Sequence, residues 1–400
     1  MSTVNVTGYQ EANRTLALPD LKQSLYDEGA VLMDSVLVAL HGEEHRRRRL
    51  LEMRIFKKDF FNYYENEVLP EVINRTTAKF RALGRADLMD FGARAMIDLT
   101  ADFAGIDRPL GTDEERDTLV RLLKGMGQAA TLGQFSGDRE PVRESIRATI
   151  HEFDERFFTP SAARRRELLA QFQAGTVAED QLPRDILTVL LRNEDKVDLP
   201  RDMIVRETAF FFLAGAHTSV HSLTLAMHEM FMWCEQHPED RARLKTDPLF
   251  VQRCVHESMR LHPSSPVVQR RALCPMHLPS GEDVATDDTV VIDLYSANRQ
   301  TGIFGADAAS FNPYRELPPI QPPYGLTFGV GIHTCLGRDL AAGVVAKPGA
   351  DPATHPFGTV TALALALIAA NVRPDPERKA EKDPRIARET FAVYPVLLDP

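Results

Sequence analysis

Apolar positions recur at helical spacing along most of the chain, and this periodicity predicts a mainly α-helical protein. Residues 200–230 predict one long helix, whose middle part, residues 209–216, is apolar on every side. A helix that is apolar all round is buried, so we expect this one to cross the interior. Residues 290–294 and a turn at residues 280–282 predict the short strands of a small β-sheet.

The chain is long enough to build a large core, because 44% of its 400 residues are hydrophobic. No linker, low-complexity tract or internal repeat divides it, and we therefore expect a single domain over residues 1–400. The longest apolar run, residues 359–372, is shorter than the roughly 18 to 20 residues of a membrane span, and the N-terminus has no apolar signal segment. The sequence thus predicts a cytoplasmic protein without a membrane span.

Charge and cysteine content exclude two other classes. The formal net charge of −10 argues against nucleic acid as a partner, because such proteins usually carry a basic face. The four cysteines form no C-x-x-C pair, so neither a zinc site nor a disulfide framework is indicated.

One cysteine stands in a distinctive setting, the segment FGVGIHTCLG at residues 328–337. Cys335 lies on a glycine-punctuated loop that runs into a helix, which is how a protein offers one thiolate to a haem iron. Gly331 and Gly337 have no Cβ where the backbone must approach a flat macrocycle. The alternative is a buried free cysteine next to an unrelated glycine loop.

These ten residues match the pattern F-x-x-G-x-x-x-C-x-G, and here the chain resembles the cytochrome P450 family of haem-thiolate monooxygenases. The resemblance implies a single-domain fold of that family, mainly helical with a small sheet region. It also implies haem b held by Cys335, with Phe328 shielding the sulfur and His333 at a haem propionate.

The buried long helix carries a second matching motif, residues 214–219. In the family, the pair that corresponds to Ala214 and Gly215 leaves room for dioxygen on the iron, and the threonine that corresponds to Thr218 supplies a hydrogen bond to it. His217 stands where the family usually has an acid, a variant that resembles the sterol 14-demethylases, and the two residues would manage protons. The alternative for Thr218 is a hydrogen bond to its own helix.

A basic cluster at residues 45–49 divides by helical geometry. His45 and Arg49 are four residues apart and share one helical face, whereas residues 46–48 point elsewhere. In the resembling family an H-x-x-x-R pair binds haem propionates, and the surrounding basic surface receives an acidic electron donor. We therefore expect residues 46–48 to be exposed docking arginines; the alternative is a solvated charged face.

Three further residues complete the resemblance in the expected order. Glu257 and Arg260 form an E-x-x-R pair on one helical face. The resemblance implies that Arg315, from the family's F-x-P-x-R motif, joins them to brace the fold, and that Arg270 binds a propionate.

The sequence departs from the family pattern in two places. His45 lies unusually close to the N-terminus, so we expect the family's first helix and first strands to be shortened or absent. After Cys335 the expected long helix is interrupted at residues 347–358 by a segment with prolines and glycines, and helical pattern resumes near Thr359.

The resemblance implies a monooxygenase that inserts one oxygen atom into a small apolar substrate. Its two electrons would come from NAD(P)H through an acidic ferredoxin or flavodoxin and its reductase. The alternatives are a haem-thiolate enzyme that uses peroxide, or isomerises or dehydrates its substrate, without a redox partner, and a non-enzymatic haem sensor. No motif specifies the substrate, the electron donor or the oligomeric state.

Overall fold

The computed structural model describes residues 2–197, 199–384 and 389–400, and most of them are helical. The helices are α1 Tyr9–Leu16, α2 Ala30–Met33, α3 Gly42–Glu52, α4 Lys58–Tyr63, α5 Leu69–Leu83, α6 Leu88–Ala104, α7 Asp113–Thr131, α8 Glu140–Phe153, α9 Thr159–Gln173, α10 Ile186–Leu191, α11 Glu194–Val197, α12 Arg201–Gln236, α13 Asp240–Thr246, α14 Pro248–Leu261, α15 Leu294–Ala297, α16 Thr301–Phe304, α17 Arg338–Ala342 and α18 Thr359–Ala369. The prediction of a mainly helical protein is confirmed.

The strands are short, as the sequence predicts. They are β1 Thr3–Val6, β2 Leu21–Gln23, β3 Arg85–Asp87, β4 Val267–Ala272, β5 Met276–His277, β6 Asp283–Val284, β7 Thr289–Asp293, β8 Arg373–Pro374, β9 Glu381–Lys382, β10 Phe391–Val393 and β11 Pro395–Leu397. The largest sheet has the order β1-β7-β4-β2, in which β1 runs parallel to β7 and the other pairs are antiparallel. Strands and a helix of eight residues therefore do precede α3, although each is short.

Backbone packing groups the chain into two compact units. The Cys335 unit comprises residues 1–24, 61–92 and 218–400, and the Arg48 unit comprises residues 25–60 and 93–217. The long helix α12 is continuous, with residues 201–217 in the Arg48 unit and the remainder in the Cys335 unit.

The Cys335 unit holds every strand named above. Its core packs the large sheet against α1, α15 and the loop before the cysteine, with Val6, Leu16, Ile292 and Leu326 all nearly inaccessible to solvent. Helix α14 begins where Asp247 accepts a hydrogen bond from the Phe250 N–H and Pro248 occupies the first turn, a typical helix start.

The described residues of the Arg48 unit form helices and loops, and none of them lies in a strand. Phe153 of α8 stacks on Phe212 of α12, with ring centroids 6.2 Å apart. Phe103 of α6 packs edge-on against Phe56 at 4.9 Å. The stacking on Phe153 explains why Phe212 in the apolar middle of α12 is buried, whereas Ala214 and Gly215 of the same segment are half-buried.

The predicted interruption after the cysteine is present. Helix α17 ends at Ala342, α18 begins at Thr359, and the two ends of the intervening loop meet at Gly343 and Gly358. A Cβ added at Gly358 would lie 2.2 Å from the Gly343 nitrogen, and both glycines have positive φ. Only glycine tolerates this approach. In the described parts of the chain, no helix is long and apolar enough to cross a membrane.

Candidate functional site

Cys335 lies in a tight loop that ends at α17. The Cys335 N–H donates to the Phe328 carbonyl at 2.9 Å, so the loop closes on itself directly before the cysteine. Gly329 and Gly331 have φ of 64° and 74°, which favours glycine at both positions. Of the four cysteines, Cys335 is exposed, as is Cys274, whereas the other two are buried. A ligand can therefore reach its sulfur.

Arg338 is a cation that lies close enough to the cysteine to interact with its charge. Electrostatic attraction to Cys335 contributes to the raised pKa of Arg338, after the larger effect of its hydrogen bond to Asp339. A cation beside a cysteine stabilises the sulfur anion, which is the form that binds a metal.

The loop glycines have different structural neighbours. A Cβ at Gly331 would lie 3.0 Å from Cα of Ala17, so this glycine lets the chain after α1 pack against the cysteine loop. Gly337 precedes α17 with φ of −86°, a conformation open to any residue. Backbone strain therefore does not require glycine at Gly337, and its role at a macrocycle stays a prediction.

His256 of α14 supports both Phe328, through Tyr324, and the end of α17. The Phe328 ring meets Tyr324 edge-on at 4.9 Å, and Tyr324 meets His256 at 5.5 Å. Burial lowers the pKa of His256 to about 4, so its ring is neutral. His256 Nε2 is 2.8 Å from the Ala342 carbonyl, which means that this nitrogen carries the proton and donates. No sequence motif indicated a role for His256.

Glu257, Arg260 and Arg315 lie together in the Cys335 unit. Both nitrogens of the Arg260 fork, Nε and Nη2, donate to Glu257 at 2.7 Å, and Arg315 Nε donates to the same carboxylate at 3.1 Å. The Arg260 side chain is fully buried. A paired, bidentate arginine of this kind is the arrangement in which a buried charge is tolerated.

Asn298, a residue without a predicted role, connects this cluster to the cysteine loop. Its amide nitrogen donates to the Arg260 carbonyl at 3.0 Å and to Thr327 Oγ1 at 3.2 Å. Its oxygen accepts from the Leu326 N–H at 2.8 Å. A Cβ at Gly325 would lie 2.3 Å from that oxygen, which explains the glycine there. The segment leading to Phe328 is therefore anchored on the arginine cluster.

Two of the predicted propionate residues also belong to the Cys335 unit. Arg270 is a buried residue of β4, and its Nη1 donates to Gln23 on β2 at 2.6 Å. His333 ends the helical turn Gly331–His333 directly before the cysteine and is half-buried. Their roles at a propionate stay predictions.

The other predicted propionate pair, on α3, belongs to the Arg48 unit. His45 is buried and Arg49 is half-buried. Burial, followed by the charge of Arg49, lowers the pKa of His45 to about 4. The imidazole is therefore neutral at physiological pH and can still donate one N–H to an acceptor.

The expectation that residues 46–48 are all exposed is wrong for Arg48. Arg46 is exposed and pairs with Glu43 at 2.8 Å, and Arg47 is exposed and donates to the Lys196 carbonyl. Arg48 is only 2% exposed and lies 2.6 Å from Glu207 of α12. The reason is helical geometry: Arg48 is three residues from buried His45, so it faces the interior with it.

The middle of α12 is only partly buried. The predicted residues Ala214, Gly215, His217 and Thr218 are all half-buried, although larger residues around them are buried. A Cβ at Gly215 would lie 2.8 Å from Thr100 Cγ2, so this glycine also allows α6 to pack closely. The His217 ring lies against Gly127 of α7, where an added Cβ would be 3.5 Å from its Cδ2.

Comparisons of sequence agree with this site. Residues 235–343 match the family model described as Cytochrome P450. Alkane hydroxylase MAH1 of Arabidopsis thaliana is 26% identical over 220 residues, which cover 50% of this chain and 43% of the plant protein. Pulcherriminic acid synthase of Bacillus subtilis is 22% identical over 348 residues, which cover 84% of this chain and 78% of the synthase. The chain thus spans less than half of the first relative and about four-fifths of the second.

Comparisons of structure cover almost the whole chain. CalO2 superposes with a TM-score of 0.76 at 18% identity, over 99% of this chain and 90% of CalO2. P450BioI, solved with an acyl carrier protein bearing hexadec-9Z-enoic acid, superposes with a TM-score of 0.74 at 18% identity, over 99% of this chain and 92% of its own. The fold and the cysteine loop together define the class of haem-thiolate proteins. Residues 235–343 match the cytochrome P450 family, and the whole chain has the fold of bacterial members of that family.

The residues present fit the haem that this family implies. Cys335 offers an exposed sulfur beside a cation, which is the donor that a haem iron takes from a thiolate protein. The guanidinium groups of Arg270 and Arg49 match carboxylates such as the haem propionates in charge and geometry.

Proposed function

We propose that this chain binds haem b through Cys335 and is a monooxygenase that uses two externally supplied electrons and dioxygen to oxidise a small apolar substrate. The observation that carries the proposal is the exposed cysteine on a closed glycine loop, next to Arg338 and anchored through Asn298 on the arginine cluster. The names of the relatives support it, since they include an alkane hydroxylase and a luteothin monooxygenase.

Each predicted residue has a defined task in this proposal. Cys335 ligates the iron, and Phe328 keeps water from its sulfur. Arg270 and His333, and in the Arg48 unit His45 and Arg49, bind the propionates. The bound haem would supply the oxygen chemistry, while the protein binds, orients and tunes it.

Proton supply is the task of α12 in this proposal. Thr218 donates a hydrogen bond from its hydroxyl on the oxygen-binding side, and His217 passes protons to it through its imidazole. Both residues are half-buried, so they are protected from bulk water but not sealed off.

The electrons come, in this proposal, from NAD(P)H through a ferredoxin or flavodoxin and its reductase in the cytoplasm. Dependence of product formation on this chain of donors, compared with peroxide alone, separates a monooxygenase from a peroxide-using enzyme. An isomerase or dehydratase would need neither, and a sensor would form no product.

Replacing Cys335 with Ala tests the ligand. We expect the reduced carbon monoxide complex of the wild type to show the strongly red-shifted Soret band of thiolate ligation, and Cys335→Ala to lose that band completely, because the variant has no thiolate at position 335. Cys274→Ala is the matched control, since it removes the other exposed cysteine and should leave the band intact. A red-shifted band that survives in Cys335→Ala would overturn the proposal.

Replacing Thr218 and His217 tests proton supply. Thr218→Ala should keep consuming oxygen while its coupling of NAD(P)H to product falls to about half or less, with hydrogen peroxide as the by-product. His217→Ala should slow turnover by about tenfold or more, and His217→Asp should recover part of the rate. Coupling and peroxide are measured at saturating substrate.

Thr224→Ala is the control for these variants. Its hydroxyl lies on the same helix but bonds the Val220 carbonyl at 3.0 Å, so its loss should leave coupling unchanged. Wild-type rate and coupling in both alanine variants at 217 and 218 would show that this segment only shapes the pocket.

A further inference from the structure

Three charged side chains of the Arg48 unit are completely enclosed. Arg48 and Glu52 lie one turn apart on α3, and Glu207 lies on the first part of α12. Arg48 is 2% exposed and both carboxyl groups are 0% exposed. We call these residues the Arg48 trio. No motif singled out Glu52 or Glu207, and neither has a task in the proposed function.

The donors around the trio do not satisfy both carboxylates. Arg48 Nε donates to Glu52 Oε1 at 2.9 Å, and Arg48 Nη2 lies 2.6 Å from Glu207 Oε2. The Leu37 N–H lies 3.1 Å from both oxygens of Glu207. Glu52 Oε2 is buried and receives no hydrogen bond from any described donor. Its carboxyl group lies within hydrogen-bonding reach of Glu207.

The charges do not balance either. One guanidinium faces two carboxyl groups, and a guanidinium always carries its charge. Two ionised carboxylates would leave a net negative charge in a dry interior, which is strongly unfavourable. A proton on Glu52 Oε2 that is donated to Glu207 removes the excess charge and gives the unsatisfied oxygen a partner.

We infer that the Arg48 trio binds one proton, shared between Glu52 and Glu207, and that this proton holds α3 against the first part of α12. Its loss leaves two like charges in contact and weakens that packing. The trio is thus a pH-sensitive lock on the helix that carries His45 and Arg49. This last consequence rests on the proposed haem site, whereas the shared proton does not.

Among the described residues, Arg48 is the cation that pairs with both carboxyl groups of the trio. The ionisable groups that act on Glu52 are Glu207 and Arg48, and Met203 contributes only its sulfur, 3.1 Å from Arg48 Nη1. Burial, followed by the charge of Glu207, raises the pKa of Glu52 well above its ordinary value, and burial raises the pKa of Glu207 as well.

The raised pKa values of Glu52 and Glu207 decide whether stability rises or falls with pH. The folded protein keeps the proton at pH values where the unfolded chain, with an ordinary glutamate value of 4.5, has lost it. Stability therefore falls as the pH rises from the unfolded value through the raised folded value. One proton changes the unfolding constant by about tenfold per pH unit in that window.

The first experiment compares Glu52→Gln, Glu207→Gln and the double variant. Each single variant keeps one carboxylate for Arg48 and replaces the shared proton by an amide N–H, so each should fold and lose the fall in stability that the wild type shows as the pH rises above the ordinary glutamate value of 4.5. The double variant leaves the Arg48 charge buried without a carboxylate, and its folding equilibrium should drop by on the order of a hundredfold or more. Glu44→Gln, an exposed glutamate of α3, is the control and should keep the wild-type slope.

Urea unfolding of the purified full chain, followed by circular dichroism at each pH, supplies these values. Infrared spectra add a direct readout: the wild type should show the carbonyl band of a buried protonated carboxyl group, and both single variants should lack it. A wild-type slope equal to that of Glu52→Gln, or a carboxyl band that persists in both single variants, would overturn the shared proton.

The link to haem is measured separately, as the rate of haem transfer to excess apomyoglobin. The wild type should release haem faster as the pH rises through the window, and Glu52→Gln should not. If the pH slope and the infrared band behave as expected but haem transfer does not change, the lock on His45 and Arg49 is wrong while the shared proton stands. If the chain takes up no haem at all, the proposed function fails and the unfolding data still decide the proton.

Discussion

Two buried charge clusters in this protein have opposite imbalances. The Glu257 cluster, formed by Glu257, Arg260 and Arg315, has two guanidinium groups for one carboxylate, whereas the Arg48 trio has one guanidinium for two carboxyl groups. Both are almost completely buried, so neither imbalance is relieved by water. The two clusters show how a folded chain accommodates an excess of each sign.

The positive charge that Glu257 does not balance is met by backbone carbonyl oxygens and by a second carboxylate, that of Asp307. Arg260 Nη1 donates to the carbonyls of Asn298 at 2.5 Å and Ala308 at 2.7 Å. Arg315 lies 2.6 Å from Asp307, whose carboxylate is half exposed. Because a guanidinium group has five N–H donors, it can be satisfied by neutral carbonyls around a single carboxylate.

Excess negative charge in the Arg48 trio is removed in a different way. A carboxylate only accepts hydrogen bonds, so a second carboxylate beside the first competes for the same donors. A carboxyl group can take up a proton near neutral pH when it is buried, whereas a guanidinium group cannot release one. We therefore expect the Arg48 trio to be the cluster that takes up a proton.

Replacing a glutamate with glutamine should lower the free energy of unfolding most at Glu257. Glu257→Gln removes the one carboxylate that faces Arg260 and leaves a fully buried cation, so we expect a loss of about 3 to 5 kcal/mol in the free energy of unfolding. Glu52→Gln, in contrast, replaces a group that already carries a proton and should cost far less. Urea unfolding of both variants at neutral pH measures the difference.

Asp307→Asn is the matched control for Glu257→Gln. It removes the other acidic partner of Arg315, but this pair is half exposed, and such pairs contribute about 1 kcal/mol or less. A loss in Glu257→Gln no larger than that in Asp307→Asn would show that the carbonyl acceptors alone compensate the buried guanidinium of Arg260.

The Glu257 cluster could be predicted from sequence because its central pair is local. Glu257 and Arg260 are three residues apart on one helix, and the family motif adds Arg315. The Arg48 trio could not be predicted in this way. Glu207 is far from Arg48 along the chain, and an arginine within a run of arginines has the pattern of a solvated face. The spacing of Arg48 from His45 was the available signal.

The segment after the cysteine also has one feature that the sequence predicts and one that it does not. Its prolines and glycines are local signals, and they place the helix break correctly between Ala342 and Thr359. What holds the loop is a long-range contact: the Gln252 side-chain amide lies 3.2 to 3.5 Å from three carbonyl oxygens of the loop and from that of Ala342 at the end of α17. No pattern in the sequence identifies Gln252, because glutamine in a helix is usually exposed.

The smallest effect is expected where the arginine run does face solvent. Arg46 and Arg47 are exposed. Replacing both with Gln removes electrostatic steering and should slow reduction by an acidic ferredoxin by about two- to threefold at low salt. The difference should vanish at high salt, because salt screens the charges. The effect is small because Glu43 already pairs with Arg46.

Arg164 and Arg166 are the matched control, since they are an exposed pair on α9 that flanks buried Arg165. Stopped-flow reduction rates at two salt concentrations compare the pairs; equal slowing by both double variants would show that net charge, rather than a docking surface on α3, sets the rate.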